Sequence, residues 1–274
     1  MASAPNDDAP RDENLVTLAA VDRALADRQF FLVYQPTMDL QSGAFVGVEA
    51  LLRWRHPNLG VLGPDRFVAR LESTGAIVEV GAWVVAEACR QGAEWHALGA
   101  RLAVSVNVAA VQLADDGLVS SVDRAVADSG FDPGHLVLEF AEQTLIEATA
   151  EQTSRLEALR DLGVRVAVDD FGSGEESKEL LGSLPVDIVK IDRAFIATIG
   201  ASSAAAARVH DLVQLGKSLG VQTIAQGIED DDQRLRLQLE DVDVGQGFLF
   251  SVPHTPEEID RFLEDFAIFS GRPL

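Results

Sequence analysis

The chain of 274 residues has one cysteine, Cys89, so no internal disulfide can form. It lies in the helical run Ala82 to Leu98 and reads as a core residue. No apolar run reaches the ~18 residues that a membrane-spanning helix needs. The start of the chain is polar and acidic, unlike a signal peptide, so no membrane insertion is expected and the cytoplasm is the expected compartment. Basic residues are scarce: 22 Lys and Arg face 44 Asp and Glu, a net charge of −22. That imbalance excludes nucleic-acid polymers and anionic membranes as partners held by general electrostatics. An anionic substrate would need metal ions or arginines to compensate locally. Lysine occurs only at Lys178, Lys190 and Lys217, so a lysine inside an apolar strand is notable. No Gly-x-Gly-x-x-Gly follows a strand-like run, which lowers a dinucleotide-binding reading.

What is present is a long alternation of apolar strand-like and helix-like runs. Residues 1–15 read as a disordered acidic leader, and 16–274 as a single domain. After a short helix through Val16–Ala26, Phe30–Pro36 and Phe45–Trp54 form an expected hairpin around Ser42-Gly43. A loop with Pro57, Gly60, Gly63 and Pro64 leads to helices near 64–73 and 76–98. Strands at Leu102–Val108, Leu136–Phe140, Val164–Asp169, Val186–Asp192, Val221–Ala225 and Val242–Val244 then alternate with helices at 118–129, 151–162, about 176–182, 203–219, 230–239 and 256–266. Parallel neighbours need such crossovers, so the expected fold is α/β: a (β/α)8 TIM-like barrel with an antiparallel first strand. A doubly wound open sheet is the alternative.

The centre of the pattern is Val164 to Gly174, a buried strand that runs into Asp169-Asp170 and a glycine-rich turn. Two adjacent carboxylates repel unless cations sit between them, so a divalent-metal site is one reading and a helix cap or turn the other. Polar residues recur at the ends of the other strands. Glu49, Asn107, Glu139, Asp169, Lys190 and Gln226 each lie at or near the C-terminal end of an apolar run. In a (β/α)8 barrel those ends share one face, where active sites are built. Each residue also has a plainer reading: Glu49 could face water from an edge strand, and Lys190 could pair with Asp187 or Asp192. Taken together, three carboxylates and an amide oxygen form a hard donor set suited to Mg²⁺ or Mn²⁺, with Ca²⁺ as a non-productive substitute. Two-metal sites of that kind hydrolyse phosphate esters.

The residues then carry a resemblance. Glu49-Ala50-Leu51, Tyr34-Gln35-Pro36, Asn107-Val108-Ala109, Leu138-Glu139-Phe140-Ala141-Glu142, Asp169-Asp170-Phe171-Gly172, Lys190-Ile191-Asp192 and Gln246-Gly247-Phe248 occur in the order found in the EAL family of cyclic di-GMP phosphodiesterases. The chain resembles that family from about Phe30 to Phe266. The resemblance implies hydrolysis of cyclic di-GMP to linear pGpG. By it, Glu49, Asn107, Glu139 and Asp169 are ligands of a first metal, and Asp170, with Asp169 shared, of a second. Lys190 holds the attacking water, Gln35, Arg53 and Gln246 contact substrate, and Glu142 braces the loop after the Asp-Asp pair. A homodimer and a signalling-protein partner are also implied by resemblance alone.

Two stretches depart from the family pattern. After the seventh strand the family has Ala-Glu-Gly-Val-Glu, and this chain has Ala225-Gln226-Gly227-Ile228-Glu229. An amide keeps an oxygen but has no charge and no basicity near neutral pH, so weakened second-metal binding and impaired or absent turnover are expected. The loop after Asp170 carries Glu175 and Glu176 where the family has Tyr-Ser. These could repel a dianionic ligand, or point to solvent as a first helical turn. An EAL domain that acts as a cyclic di-GMP sensor or a protein-interaction module is the alternative function.

Overall fold

The computed structural model describes residues 17–172, 182 and 184–270. β1 (Phe30–Asp39) and β2 (Phe45–His56) pair as an antiparallel hairpin. The Asp39 carboxylate fixes its turn by accepting from the backbone N–H of Ser42 at 2.7 Å and from its hydroxyl at 2.6 Å. From β2 the sheet continues in parallel through β4 (Ala103–Asn107), β5 (Leu136–Ala141), β6 (Arg165–Phe171), β7 (Ile188–Ile191), β8 (Gln222–Ala225) and β9 (Val244–Gln246). β9 then pairs antiparallel with β1 and closes the ring. β1 therefore runs against both neighbours, as the hairpin spacing implied. A short β3 (Gly60–Leu62) extends β2 outside the ring.

Side-chain parity divides the barrel wall. On β5, Leu136, Leu138 and Phe140 pack outward with Val104, Val106, Val166, Val168, Val189 and Ile191 in the main core beneath the helices. The alternate positions point inward, where Val137, Ala167, Ile188, Ile224 and Val244 form a separate small cluster. The same inward parity, one step further along each strand, brings up the polar residues described below.

The helices are α1 (Leu18–Ala26), α2 (Val68–Thr74), α3 (Ile77–Ala97), α4 (Ala110–Leu113), α5 (Leu118–Ser129), α6 (Glu142–Ile146), α7 (Ala150–Asp161), α8 (Arg193–Thr198), α9 (Ser203–Leu219), α10 (Asp231–Leu239) and α11 (Pro256–Ser270). α3 shows why they sit where they do: Val80, Val84, Ala88 and Trp95 recur at three- to four-residue steps or their multiples and are all buried. Cys89 is fully buried on the same helix, and burial pushes its thiol up to about 12.

Some expectations need correcting. The loop from Pro57 to Pro64 contains β3, and the helix expected from 64 starts as a 3-10 turn, Pro64–Arg66, before α2. The last strand is Val244–Gln246 rather than 242–244. α4, α6 and α8 are four to six residues long, too short to leave a helical period in the sequence. The expected leader over 1–15, the helix near 176–182 and the residues Glu175 and Glu176 lie outside the described residues, Gly182 apart.

Where β9 ends, two backbones touch. The N–H of Ile228 donates to the carbonyl of Gln246 at 3.0 Å, and that of Leu249 to the carbonyl of Ile228 at 3.0 Å. A Cβ on Gly247 would lie 2.1 Å from the oxygen and 2.2 Å from the nitrogen of Ile228. Only glycine fits there without moving the chain that follows Gln226. Gly247→Ala is expected to lower stability by at least about 1–3 kcal/mol, seen as a lower urea midpoint at unchanged m-value. An unchanged midpoint would show that this crossing is not rigid.

Candidate functional site

The closure of the barrel gathers the strand-end residues at one mouth. Asn107 on β4 stands beside Glu139 on β5 in the parallel register, and Ala141 beside Asp169 on β6. Glu49 comes from the middle of β2, Lys190 from β7 and Gln246 from the end of β9, while Gln226 is the first residue past β8. Glu49, Glu139, Lys190 and Gln246 are buried. Glu49 is thus a residue of the barrel interior, and the edge-strand reading falls.

Lys190 is the hub. Its ammonium donates to Glu139 Oε2 and to Glu49 Oε2, the latter at 3.2 Å, and lies 3.5 Å from Asp169 Oδ1. It does not pair with Asp187, which binds Arg160 at 2.8 Å, or with Asp192, which caps α8 through the N–H of Ala194 at 2.7 Å. Glu49 also accepts from the amide of Asn107 at 2.8 Å and of Gln246 at 2.7 Å. Gln246 donates to Gln35 as well, at 3.1 Å, and Gln35 donates to the carbonyl of Ser251 at 3.1 Å. On the far side, Gln226 Nε2 donates to Asp169 Oδ1 at 2.9 Å.

The Asp169-Asp170 pair is shaped by the backbone. Between Val168 and Phe171 the register with β7 slips by one residue, so the strand carries a bulge. Asp170 adopts φ +54°, the left-handed region that non-glycine residues rarely enter. A regular strand would send consecutive side chains to opposite faces. The bulge lets Asp169 and Asp170 line one cavity, and the reading of the pair as a simple helix cap is not needed.

Three carboxylates share one ammonium in this cluster. For Glu49, burial opposes ionisation, but Lys190 and the bonds from Gln246 and Asn107 outweigh it and hold the carboxyl below its usual range. For Glu139, burial and the charges of Glu49 and Asp169 overcome Lys190 and push the carboxyl from 4.5 up to about 8. Asp170 is also raised, by burial and then by Asp169 and Asp192. For Lys190, burial is more than offset by its three acidic neighbours, which raise it well above its usual value. The cluster therefore lacks positive charge.

A pH dependence follows for the metal-free protein. The folded-state value of Glu139 lies above its unfolded one, so its contribution to stability is fully present below pH 4.5 and is lost as pH rises through about 8. In chelator, the thermal midpoint is expected to fall between pH 6 and pH 9 by about 2–4 °C or more. Glu139→Gln should flatten that fall. An equal slope in the variant would place the titration elsewhere.

Above the cluster opens a cavity of about 600 Å³, bounded by Asn107, Glu139, Asp169 and Asp170 on its polar side and by Leu51, Leu52, Pro64, Val68 and Val84 on its apolar side. Thr144, Ala109 and Ala110 complete its rim from the short helices α4 and α6 and the turn before α4. The apolar wall was not foreseen, because nothing in the sequence distinguishes these residues from ordinary core. The structure does not bring Arg53 to the carboxylates: its guanidinium donates to the carbonyl of Leu52 at 2.9 Å. Glu142 is buried in the first turn of α6, and the loop it was expected to brace lies outside the described residues.

A family model described as "EAL domain" matches residues 18–253, nearly the whole barrel. The chain belongs to the EAL domain family. It is 40% identical over 248 residues to the bifunctional diguanylate cyclase/cyclic di-GMP phosphodiesterase MucR of Pseudomonas aeruginosa, covering 90% of this chain and 36% of that protein. It is 37% identical over 253 residues to the cyclic di-GMP phosphodiesterase NbdA of the same organism, covering 92% of this chain and 32% of that protein. Its fold matches a solved structure of the MucR phosphodiesterase in complex with cyclic di-GMP with a TM-score of 0.83 at 40% identity, over 88% of this chain and 98% of the other. The EAL domain of Mycobacterium smegmatis DcpA matches with a TM-score of 0.72 at 31% identity, over 85% and 95% of the two chains. The chain thus spans about a third of the length of these curated relatives.

The family implies divalent metal ions. Among the described residues no group of three acids stands ready around an ion, and the ammonium of Lys190 holds the central place. The chemistry of the donor set nevertheless fits. Glu49, Glu139 and Asp169 offer hard anionic oxygens within reach of one cation, and the raised Glu139 shows that one ammonium does not neutralise them.

Proposed function

We propose that this EAL domain binds cyclic di-GMP across the mouth of its barrel and hydrolyses it slowly or not at all. The observation that carries the reading is the bond from Gln226 Nε2 to Asp169 Oδ1. A glutamate in that place would meet Asp169 as a second carboxylate, an arrangement that needs a cation or proton between them. The amide instead supplies a neutral donor and satisfies Asp169 by itself.

The remaining residues divide the work. Glu49, Asn107, Glu139 and Asp169 would hold one divalent ion, and Asp169 with Asp170 a second, weaker one. Bound there, such ions stabilise charge on the phosphoryl oxygens and make water acidic. Lys190, buried and fully charged, is placed to orient a water through its N–H bonds and to offset charge near the phosphate. Gln246 and Gln35 hold Glu49 from below and present amides to the mouth. Gln226 has no basicity, so it cannot accept the proton that an attacking water must lose. With Leu51, Leu52, Pro64 and Val68 forming an apolar wall, the site is suited to hold a nucleobase beside a phosphodiester.

The same bond supports the reading of the domain as a sensor, since binding needs the donors and the wall but not a base. Calorimetry with cyclic di-GMP and Ca²⁺, run beside a turnover assay with Mn²⁺, separates the two. Binding with turnover at least about 10²-fold below that of Gln226→Glu supports the proposal. Absence of binding in either metal would reject it and leave a protein-interaction role.

A further inference from the structure

We propose that Arg208 on α9 is a positioning residue for the Asp169-Asp170 pair, acting through the backbone of Gly172. Its Nη2 donates to the carbonyl of Gly172 at 3.1 Å, while its guanidinium lies over the ring of Phe195 on α8, 4.9 Å from the centroid. In a chain with twice as many acids as bases, this arginine is directed at a backbone carbonyl.

The carbonyl it grips matters because of what precedes it. The backbone turns left-handed at Asp170, φ +54°, and again at Gly172, φ +103°. The two turns frame Phe171, which is fully buried and pairs with Ile191 across the bulge. An αL aspartate is a costly conformation that persists only where its surroundings enforce it. Upstream, the ladder with β7 supplies that enforcement. Downstream, the seat is formed by α8 and α9. A Cβ on Gly172 would lie 2.8 Å from Leu212 Cδ1 and 3.0 Å from Phe195 Cε2, so the backbone is pressed against both helices. The Arg208 bond fixes its remaining direction. α9 is itself tied to α10 by His210–Glu240 at 2.5 Å and Lys217–Asp241 at 3.2 Å, so the latch rests on an anchored helix.

Releasing the carbonyl frees the φ and ψ angles of residues 170–172 and with them the direction of the Asp170 carboxylate. The barrel core does not depend on this bond, because the Arg208 side chain sits at the surface while Phe171 stays buried. The consequence for cations rests on the proposed function; the latch itself does not.

Two readouts on the whole chain test this. Arg208→Ala should speed amide hydrogen exchange at Phe171 and Gly172 and leave the middle of α9 unchanged. In Mn²⁺ calorimetry the same variant should bind about 10-fold more weakly, with Arg208→Lys falling between it and the parent because lysine keeps a donor but loses the planar stack. Unchanged exchange at Phe171 and Gly172, or faster exchange spread over all of α9, overturns the latch. Local exchange with an unchanged Mn²⁺ affinity overturns the positioning role. If the parent chain binds no Mn²⁺, the proposed function fails, and the exchange data alone decide whether Arg208 holds the strand end.

Discussion

Gln226→Glu is expected to raise Mn²⁺-dependent hydrolysis of cyclic di-GMP by about 10²-fold or more, the usual worth of a placed general base. The substitution changes one group and keeps its shape. Gln226 now donates to Asp169 at 2.9 Å, and a glutamate cannot make that bond while ionised. Two carboxylates in that geometry attract a cation, so the variant should also bind Mn²⁺ more tightly. Without metal it should be less stable by about 1–3 kcal/mol, since Asp169 loses a donor and gains a like charge. Saturating Mn²⁺ should reverse the sign of that difference by stabilising the ion-binding state. The three measurements are a turnover assay, a calorimetric titration and thermal melts with and without chelator. Turnover no higher than that of the parent chain would mean that the lesion is not at residue 226. Gln226→Ala serves as the control, because it removes the amide bond and adds no base.

The second large effect is at Lys190. Lys190→Met keeps the length of the side chain and removes the charge that Glu49, Glu139 and Asp169 converge on. Breaking a buried ion pair by removing one partner leaves uncompensated charge, so metal-free stability should fall by about 3–5 kcal/mol. The pH dependence identifies the cause. Without the ammonium, burial and mutual repulsion raise both Glu49 and Glu139 above their unfolded values. The stability of such groups is fully present below the ordinary glutamate range and is lost as pH rises through the raised values. The penalty should therefore be small near pH 4 and large near pH 8, and divalent ions should reduce it. An equal penalty at both pH values would show that Lys190 contributes packing alone. Turnover should be lost at every pH, as the water-orienting donor is gone.

Much of this site was legible in the sequence because barrel topology converts strand ends into a common face. Glu49, Asn107, Glu139, Asp169 and Lys190 could be picked out as polar residues ending apolar runs, and the structure brings all five together. The antiparallel start was legible from the short turn between the first two strands. Arg53 was less so: it follows Glu49 by four residues on the same strand, yet its guanidinium folds back to Leu52.

By itself, then, the sequence determined the element alternation, the barrel and the ranking of polar residues, because period and parity are local properties. It also determined the chemical deficit at Gln226, since an amide lacks basicity wherever it lies. Only the tertiary structure decided how the charges are shared. Lys190 could have joined Asp187 or Asp192 by proximity in sequence, and ring closure instead gives it Glu49, 141 residues away, and Glu139, 51 away. The same closure directs the Gln226 amide onto Asp169, 57 residues away. The bulge that lets Asp169 and Asp170 share a cavity depends on pairing with β7 and on helices that arrive later in the chain. Those are long-range contacts, and no local pattern encodes them.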